Sequence, residues 1–135
     1  MANKQSRLRF LNLHWVLLAA LLMASLAHAA TLPPAARVEI DSLLSRLAES
    51  GCQFRRNGTW YAAVEAQAHL RRKLDYLVEK GEIASTEQFI ERAASRSSVS
   101  GQAYQVKCEG NPPVQSGTWL YAELKALRAE TRQGF

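Results

Sequence analysis

Apolar residues recur at helical spacing through the middle of the chain. After Pro33 and Pro34, apolar side chains stand at i, i+3, i+4 and i+7, and Gly51 follows where a helix commonly ends. These apolar residues are Ile40, Leu43, Leu44 and Leu47. From about Tyr61 to Lys80 a second run places Ala66, Leu70, Leu74 and Leu77 on one face, before Gly81. The pattern predicts two amphipathic helices.

Two further helices are predicted closer to the C-terminus. Ser85 to Gln88 has the form of a capping box, which starts a helix with Phe89, Ile90 and Ala93 facing inward. The stretch Ser95–Gly101 is predicted to be a loop, because serine side chains compete for backbone hydrogen bonds. The last helix is expected from Ser116, as its cap, to Ala129.

Two short segments alternate between apolar and polar residues, which is typical of strands. They are Cys52–Arg56, followed by an Asn57-Gly58 turn, and Ala103–Cys108. An antiparallel register places Phe54 opposite Val106 and Arg56 opposite Tyr104, with all apolar side chains on one face. The predicted fold class is therefore α+β: mostly helical, with about four helices and a two-stranded antiparallel sheet.

Residues 1–29 have the pattern of a secretory signal peptide. Lys4, Arg7 and Arg9 precede an apolar run from Trp15 to Leu26, and Ala27-His28-Ala29 supplies small residues for cleavage. The run is shorter than a membrane-spanning helix requires. We expect cleavage after Ala29, with no membrane span afterwards, and a single exported domain over residues 30–135.

Both cysteines, Cys52 and Cys108, lie in the expected mature chain. Two cysteines in an exported domain, with none left over, predict one disulfide formed in an oxidising compartment. This bond would join the two predicted strands.

Charge and motifs exclude several classes of protein. Of the 17 basic residues, three leave with the leader, so the expected mature chain carries 14 against 12 acidic residues. The tightest basic run, Arg71-Arg72-Lys73, points to different sides of a helix, so no nucleic-acid binding is predicted. Glycine-rich phosphate loops and dinucleotide fingerprints are absent, and no cofactor is expected.

His69 is the only histidine of the expected mature chain. A zinc site would need carboxylates such as Glu65 beside it, and an ordinary surface Glu–His pair is the preferred interpretation, so no metal is predicted. A small serine hydrolase, with His69 as base and a serine of residues 95–101 as nucleophile, is the alternative function. The sequence lacks a Gly-x-Ser-x-Gly motif, and no catalytic residue is assigned.

A polar constellation offers a candidate binding site. Tyr61, Glu65, His69 and Lys73 recur every four residues, as on one exposed face of a helix stabilised by side-chain pairs. The functional interpretation is a groove for an anion or a glycan, formed by Arg56, Asn57, Tyr61, His69, Lys73, Ser98 and Tyr104. Trp60 and Trp119 could add flat contacts for sugar. With an ordinary pKa near 6.5, His69 would make anion affinity rise as pH falls.

Several segments carry a resemblance to a known family. They are Phe54–Gly58, His69–Leu74, Ser85–Ile90 and Ala94–Lys107. In this order along the chain they resemble the YfeK-like proteins, small exported bacterial proteins that share a domain of unknown function. The resemblance implies a periplasmic location in a Gram-negative bacterium and no particular activity. The preferred expectation is a non-enzymatic envelope domain that binds a partner protein or an anionic or glycan ligand.

Overall fold

The computed structural model describes residues 30–134. The chain forms an α+β fold with four helices and one antiparallel sheet. The helices are α1 (Pro34–Glu49), α2 (Ala63–Glu79), α3 (Thr86–Phe89, continued by a π-helical turn at Ile90–Ala94) and α4 (Ser116–Gln133). The strands are β1 (Gln53–Arg56), β2 (Thr59–Ala62), β3 (Gln105–Lys107) and β4 (Val114–Gln115). The predicted leader, residues 1–29, lies outside the described residues.

The sheet has four strands in the order β2-β1-β3-β4, so the prediction of two strands is wrong. The sequence pattern places Tyr61 of strand β2 in the second helix, because Tyr61 continues the four-residue spacing of α2. Strand β4 has two residues, which is too short to show alternation. Both additional strands pair antiparallel with the strands that alternation did identify.

The antiparallel pairing of β1 with β3 is as predicted for Phe54 and Val106, but it ends at Arg55 opposite Gln105, so the predicted pair of Arg56 and Tyr104 lies outside it. The Tyr104 backbone N–H donates instead to the Ser95 carbonyl. Phe54 lies opposite Val106 in an antiparallel register, and Cys52 and Cys108 form a disulfide beside this pair. Phe54, Tyr104 and Val106 are each 1% exposed, which places the apolar face of both strands in the core. The bond joins residues 56 positions apart in sequence.

The helices cover the apolar face of the sheet. All four predicted apolar residues of α1 are buried, as are Ala66, Leu70, Leu74 and Leu77 of α2. Leu120 and Leu124 of α4 and Phe89 and Ile90 of the third helix complete the same cluster. The helical layer buries Phe54 and Val106 of the two central strands, and this packing stabilises the sheet. No helix within residues 30–134 is long and apolar enough to cross a membrane.

Two helix starts differ in detail from the sequence predictions. The Ser85 hydroxyl accepts from the Gln88 backbone N–H at 3.1 Å as expected, but the Gln88 side chain accepts from Ala84 N–H. Ser116 does not cap α4. It is the first helical residue, and its buried hydroxyl donates instead to the Ala94 carbonyl at the end of the π-helical turn. Ser116 therefore connects α4 to the segment that leads into the Ser95–Gly101 loop.

The β1–β2 hairpin turns at Asn57 and Gly58, whose φ values are 48° and 84°. Both values lie in the left-handed region, which two-residue hairpin turns of the primed types require. Asparagine tolerates this conformation and glycine adopts it without steric cost.

We expect Gly58→Ala to lower the free energy of unfolding by about 1 kcal/mol, because a Cβ is disfavoured at positive φ. The space around Gly58 is open, so backbone conformation alone carries this cost. Urea denaturation of Gly58→Ala measures it. Gly134→Ala is the control, since Gly134 has a φ of −86° and should lose almost nothing. Equal stability of both variants would contradict this account of the turn.

Candidate functional site

A surface depression of about 330 Å³ lies between the β1–β2 hairpin, helix α2 and the loop before β3. We call it the groove. All seven residues predicted for the binding site line it, together with three that were not predicted: Thr59, Ser97 and Val99. The structure thus places together residues that are up to 48 positions apart in sequence.

Strand alternation and helix periodicity position these side chains. Arg56 follows Phe54 by two residues on β1, so its side chain leaves the same face of the sheet at the edge of the core. Tyr61 does not lie on α2 as predicted. It lies on β2 opposite Phe54, and still reaches the groove. His69 and Lys73 lie one turn apart on α2 and face the sheet from the other side.

A chain of hydrogen bonds crosses the groove. Arg56 Nη1 lies 2.5 Å from His69 Nδ1, and His69 Nε2 lies 3.2 Å from the Tyr104 hydroxyl. Arginine can only donate, so His69 Nδ1 accepts and its proton is on Nε2. Lys73 Nζ donates to the same Tyr104 hydroxyl at 3.4 Å and to the Arg96 carbonyl at 3.0 Å. The Tyr104 oxygen therefore accepts from both His69 and Lys73.

This arrangement leaves the Tyr104 hydroxyl proton available. Tyr104 is 1% exposed, and its hydroxyl donates to no acceptor within residues 30–134. Arg56 uses one N–H on His69 and another on the Tyr61 hydroxyl at 3.4 Å, which leaves further N–H groups available. Lys73 likewise has a third ammonium proton beyond its two contacts. The groove thus presents hydrogen-bond donors from three separate elements.

The charge in the groove is positive and uncompensated. Neither Arg56 nor Lys73 forms an ion pair with a carboxylate of residues 30–134, whereas arginines elsewhere in the fold do. Glu65 was predicted to pair with His69. Its carboxylate instead accepts from the Ala62 backbone N–H at 3.0 Å, at the start of α2. Within residues 30–134, Glu65 forms no ion pair with Arg56 or Lys73.

Burial and neighbouring cations change the titration of the groove. Desolvation, with Arg56, Lys73 and Arg72 nearby, lowers the pKa of His69 to about 4. The ordinary histidine pKa near 6.5 therefore does not apply to His69, since an imidazolium here would be poorly solvated and repelled by cations. Desolvation and Arg56 also lower the pKa of Lys73 to about 8. At neutral pH His69 is neutral and Lys73 is mostly charged.

The serine loop is held against the hairpin turn. The buried Ser97 hydroxyl accepts from the backbone N–H groups of Val99 and Ser100, at 3.3 Å and 3.2 Å. The Ser100 hydroxyl donates to Asn57 Oδ1 at 2.7 Å. Ser98 is exposed and lines the groove. These contacts fix the loop as one wall of the groove.

A second depression of about 260 Å³, which we call the side cavity, adjoins the groove. Both are lined by Arg56, Tyr61 and His69. Its remaining lining residues come from β1 and one face of α2: Phe54, Glu65, Ala66, Ala68 and Arg72.

The predictions on hydrolase chemistry, metal binding and sugar contact each depend on the neighbours of particular side chains. His69 Nδ1 contacts Arg56, and His69 Nε2 contacts Tyr104. Within residues 30–134 neither ring nitrogen contacts a serine hydroxyl or a carboxylate. The hydrolase stays a prediction. No group of three or more metal-binding side chains occurs in this part of the chain. Of the two tryptophans proposed for sugar contact, Trp60 lies beneath Arg55, 5.9 Å from its guanidinium carbon, and Trp119 packs on the core.

The unpredicted groove residues had partial signals in the sequence. Thr59 lies two residues before Tyr61 on β2, so recognising that strand would have placed both on one face. Ser97 was within the predicted loop, but its burial depends on contacts that local sequence does not show. The side cavity had no sequence signal.

Comparison with known families adds one assignment. Residues 34–128 match the family of unknown function DUF5329. The chain belongs to this family. No curated protein and no solved structure matches the chain. The DUF5329 match includes α1 to α3, the whole sheet and most of α4, so it covers every residue of the groove and the side cavity.

Proposed function

We propose that this DUF5329 protein is a non-enzymatic periplasmic binding protein whose groove holds an anionic group. The observation that carries the proposal is the set of donors in the groove: the guanidinium of Arg56, the ammonium of Lys73 and the unused hydroxyl proton of Tyr104. Within residues 30–134 no carboxylate lines the groove or pairs with either cation. A free small molecule, a glycan or a partner protein can each carry such an anionic group.

The physical reason is that an anion would satisfy several unmet groups at once. Guanidinium N–H groups bind carboxylate, sulfate or phosphate oxygens in charge-assisted hydrogen bonds, which are about twice as strong as neutral ones. Partial burial of Lys73 strengthens its attraction to an anion, because less water screens the two charges. Neutral His69 contributes no charge, but it fixes Arg56 and the Tyr104 hydroxyl by accepting from one and donating to the other.

The periplasmic part of the proposal has separate support. The pattern of residues 1–29 is typical of a cleavable leader, and the resemblance to the YfeK-like proteins implies the same compartment. The Cys52–Cys108 disulfide is of the kind that persists in oxidising compartments. Mass analysis of the protein recovered from a periplasmic extract tests this, with Ala30 expected as the first residue.

The groove is tested by titrating the purified protein with sodium sulfate while amide NMR spectra are recorded at constant ionic strength. We expect saturable shifts at Arg56–Gly58, His69–Lys73 and Ser97–Tyr104. Arg56→Gln should weaken sulfate binding about tenfold or more, because it removes a charge-assisted contact. Arg55→Gln is the matched control. Arg55 is the adjacent residue on β1, and its side chain contacts Gln105 and Trp60 on the opposite face.

The two arginine variants separate a site from general electrostatics. An equal loss of sulfate affinity in both variants would show that net charge alone is responsible, and the groove would have to be abandoned. The absence of any saturable shift in the wild-type protein would have the same consequence. Thermal unfolding of each variant verifies that the fold is retained.

A further inference from the structure

We infer that the anionic group bound by the groove is attached to a compact apolar group, such as a single ring, and that the side cavity holds this apolar group. This inference rests on the proposed function, since it takes the groove as the anion site. The inference specifies the chemical class of the ligand, which the positive charge of the groove does not specify by itself.

The first argument is the shared wall. The Arg56 guanidinium stands between Tyr61 and His69: its carbon is 4.9 Å from the centre of the Tyr61 ring, and Nη1 is 2.5 Å from His69 Nδ1. These three side chains line both depressions. A single ligand in contact with Arg56 can therefore have its anionic group on one side and a substituent on the other.

The second argument is the lining of the side cavity. Its base is formed by the Phe54 ring and Ala66, which are 1% and 2% exposed, and the exposed methyl group of Ala68 lies at its rim. Ala66 and Ala68 leave space beside the sheet, whereas the next core positions toward the C-terminus of α2 carry leucine, at Leu70 and Leu74. An apolar group placed there would cover the exposed Ala68 methyl group and the half-buried Tyr61 ring, and release of water from these surfaces favours binding.

The third argument concerns size and the charged rim. An engineered apolar cavity of about 150 Å³ holds benzene, so a space of about 260 Å³ is large enough for one ring. A ring could also contact the faces of the Arg56 guanidinium and the Tyr61 phenol. The Glu65 carboxylate accepts a hydrogen bond from the backbone at the start of α2, and the Arg72 side chain lies at the rim of the side cavity.

The test compares two probes with the same anionic group, methanesulfonate and benzenesulfonate, neither of which titrates in the working pH range. We expect the wild-type protein to bind benzenesulfonate about tenfold more tightly, in line with burial of one apolar group. Ala68→Leu should fill the rim of the cavity and remove this preference, while methanesulfonate affinity stays unchanged. Ala126→Leu is the control, because Ala126 is an exposed alanine on α4, remote from the groove.

Each outcome has a distinct meaning. Equal wild-type affinity for the two probes would overturn the inference and leave the anion site standing. Failure of both probes and of sulfate to bind would overturn the proposed function itself. A preference for benzenesulfonate that survives in Ala68→Leu, or is lost equally in Ala126→Leu, would show that the ring binds elsewhere. Shifts of the Phe54 and Ala66 amides with benzenesulfonate alone are the expected spectroscopic signature.

Discussion

Replacing Cys52 and Cys108 together by serine is expected to lower the free energy of unfolding by about 4 kcal/mol. The disulfide closes a loop between residues 56 positions apart, and in the chain-entropy account a loop of this length removes that much freedom from the unfolded chain. This is a large share of the roughly 5–15 kcal/mol that stabilises a typical small domain. Urea denaturation of the double variant beside the oxidised wild-type protein measures the difference.

Reduction provides the control for this prediction. A reducing agent should destabilise the wild-type protein by a similar amount and leave the double variant unchanged. A loss below about 1 kcal/mol in the double variant would contradict the loop-closure account. Because the bond fixes β1 against β3, its loss should also loosen the relation between Arg56 and Tyr104, and weaken sulfate binding in the folded fraction.

The sequence predicts best those elements in which the same spacing of apolar residues is repeated many times. Helices α1 and α2 bury the side chains that helical spacing selects, because several turns repeat the same apolar stripe. The register of Phe54 opposite Val106 followed from alternation in two segments that each contain a cysteine. Strand β2 was not predicted, because its four residues, between a turn and a helix, are too few to repeat an alternating pattern. Tyr61 fits both the two-residue period of a strand and the spacing of the helix that follows.

Seven of the ten residues that line the groove were predicted from the sequence, but the electrostatics of the groove were not. The stripe of His69 and Lys73 on α2, the Asn57-Gly58 turn and the serine loop were each recognisable locally, and antiparallel pairing of β1 and β3 brings them together. The pKa of His69 depends on burial and on Arg56, which belongs to another element. The spacing of residues along α2 shows neither the burial of His69 nor its proximity to Arg56. The direction in which anion affinity changes with pH therefore could not be derived from that spacing.

The corrected titration predicts how sulfate affinity depends on pH. Lys73 is charged below its pKa of about 8 and neutral above it, so sulfate affinity should fall about tenfold between pH 7 and pH 9.5. The groups that face Lys73 are Arg56 from β1, His69 from α2, and the Tyr104 hydroxyl and Arg96 carbonyl from the segment before β3. Burial raises the pKa of Tyr104, so it keeps its proton over this range.

Below neutral pH the same titration predicts a flat profile. With a pKa of about 4, His69 stays neutral from pH 7 to pH 5, and sulfate itself does not titrate there. Isothermal titration calorimetry at half-unit steps of pH measures the whole curve. Lys73→Met should bind sulfate more weakly and show no fall up to pH 9.5, which also separates Lys73 from the terminal amine. A rise in wild-type affinity from pH 7 to pH 5 would instead assign the pH dependence to His69, as its ordinary pKa had suggested, and would show that Arg56 and burial do not control the imidazole.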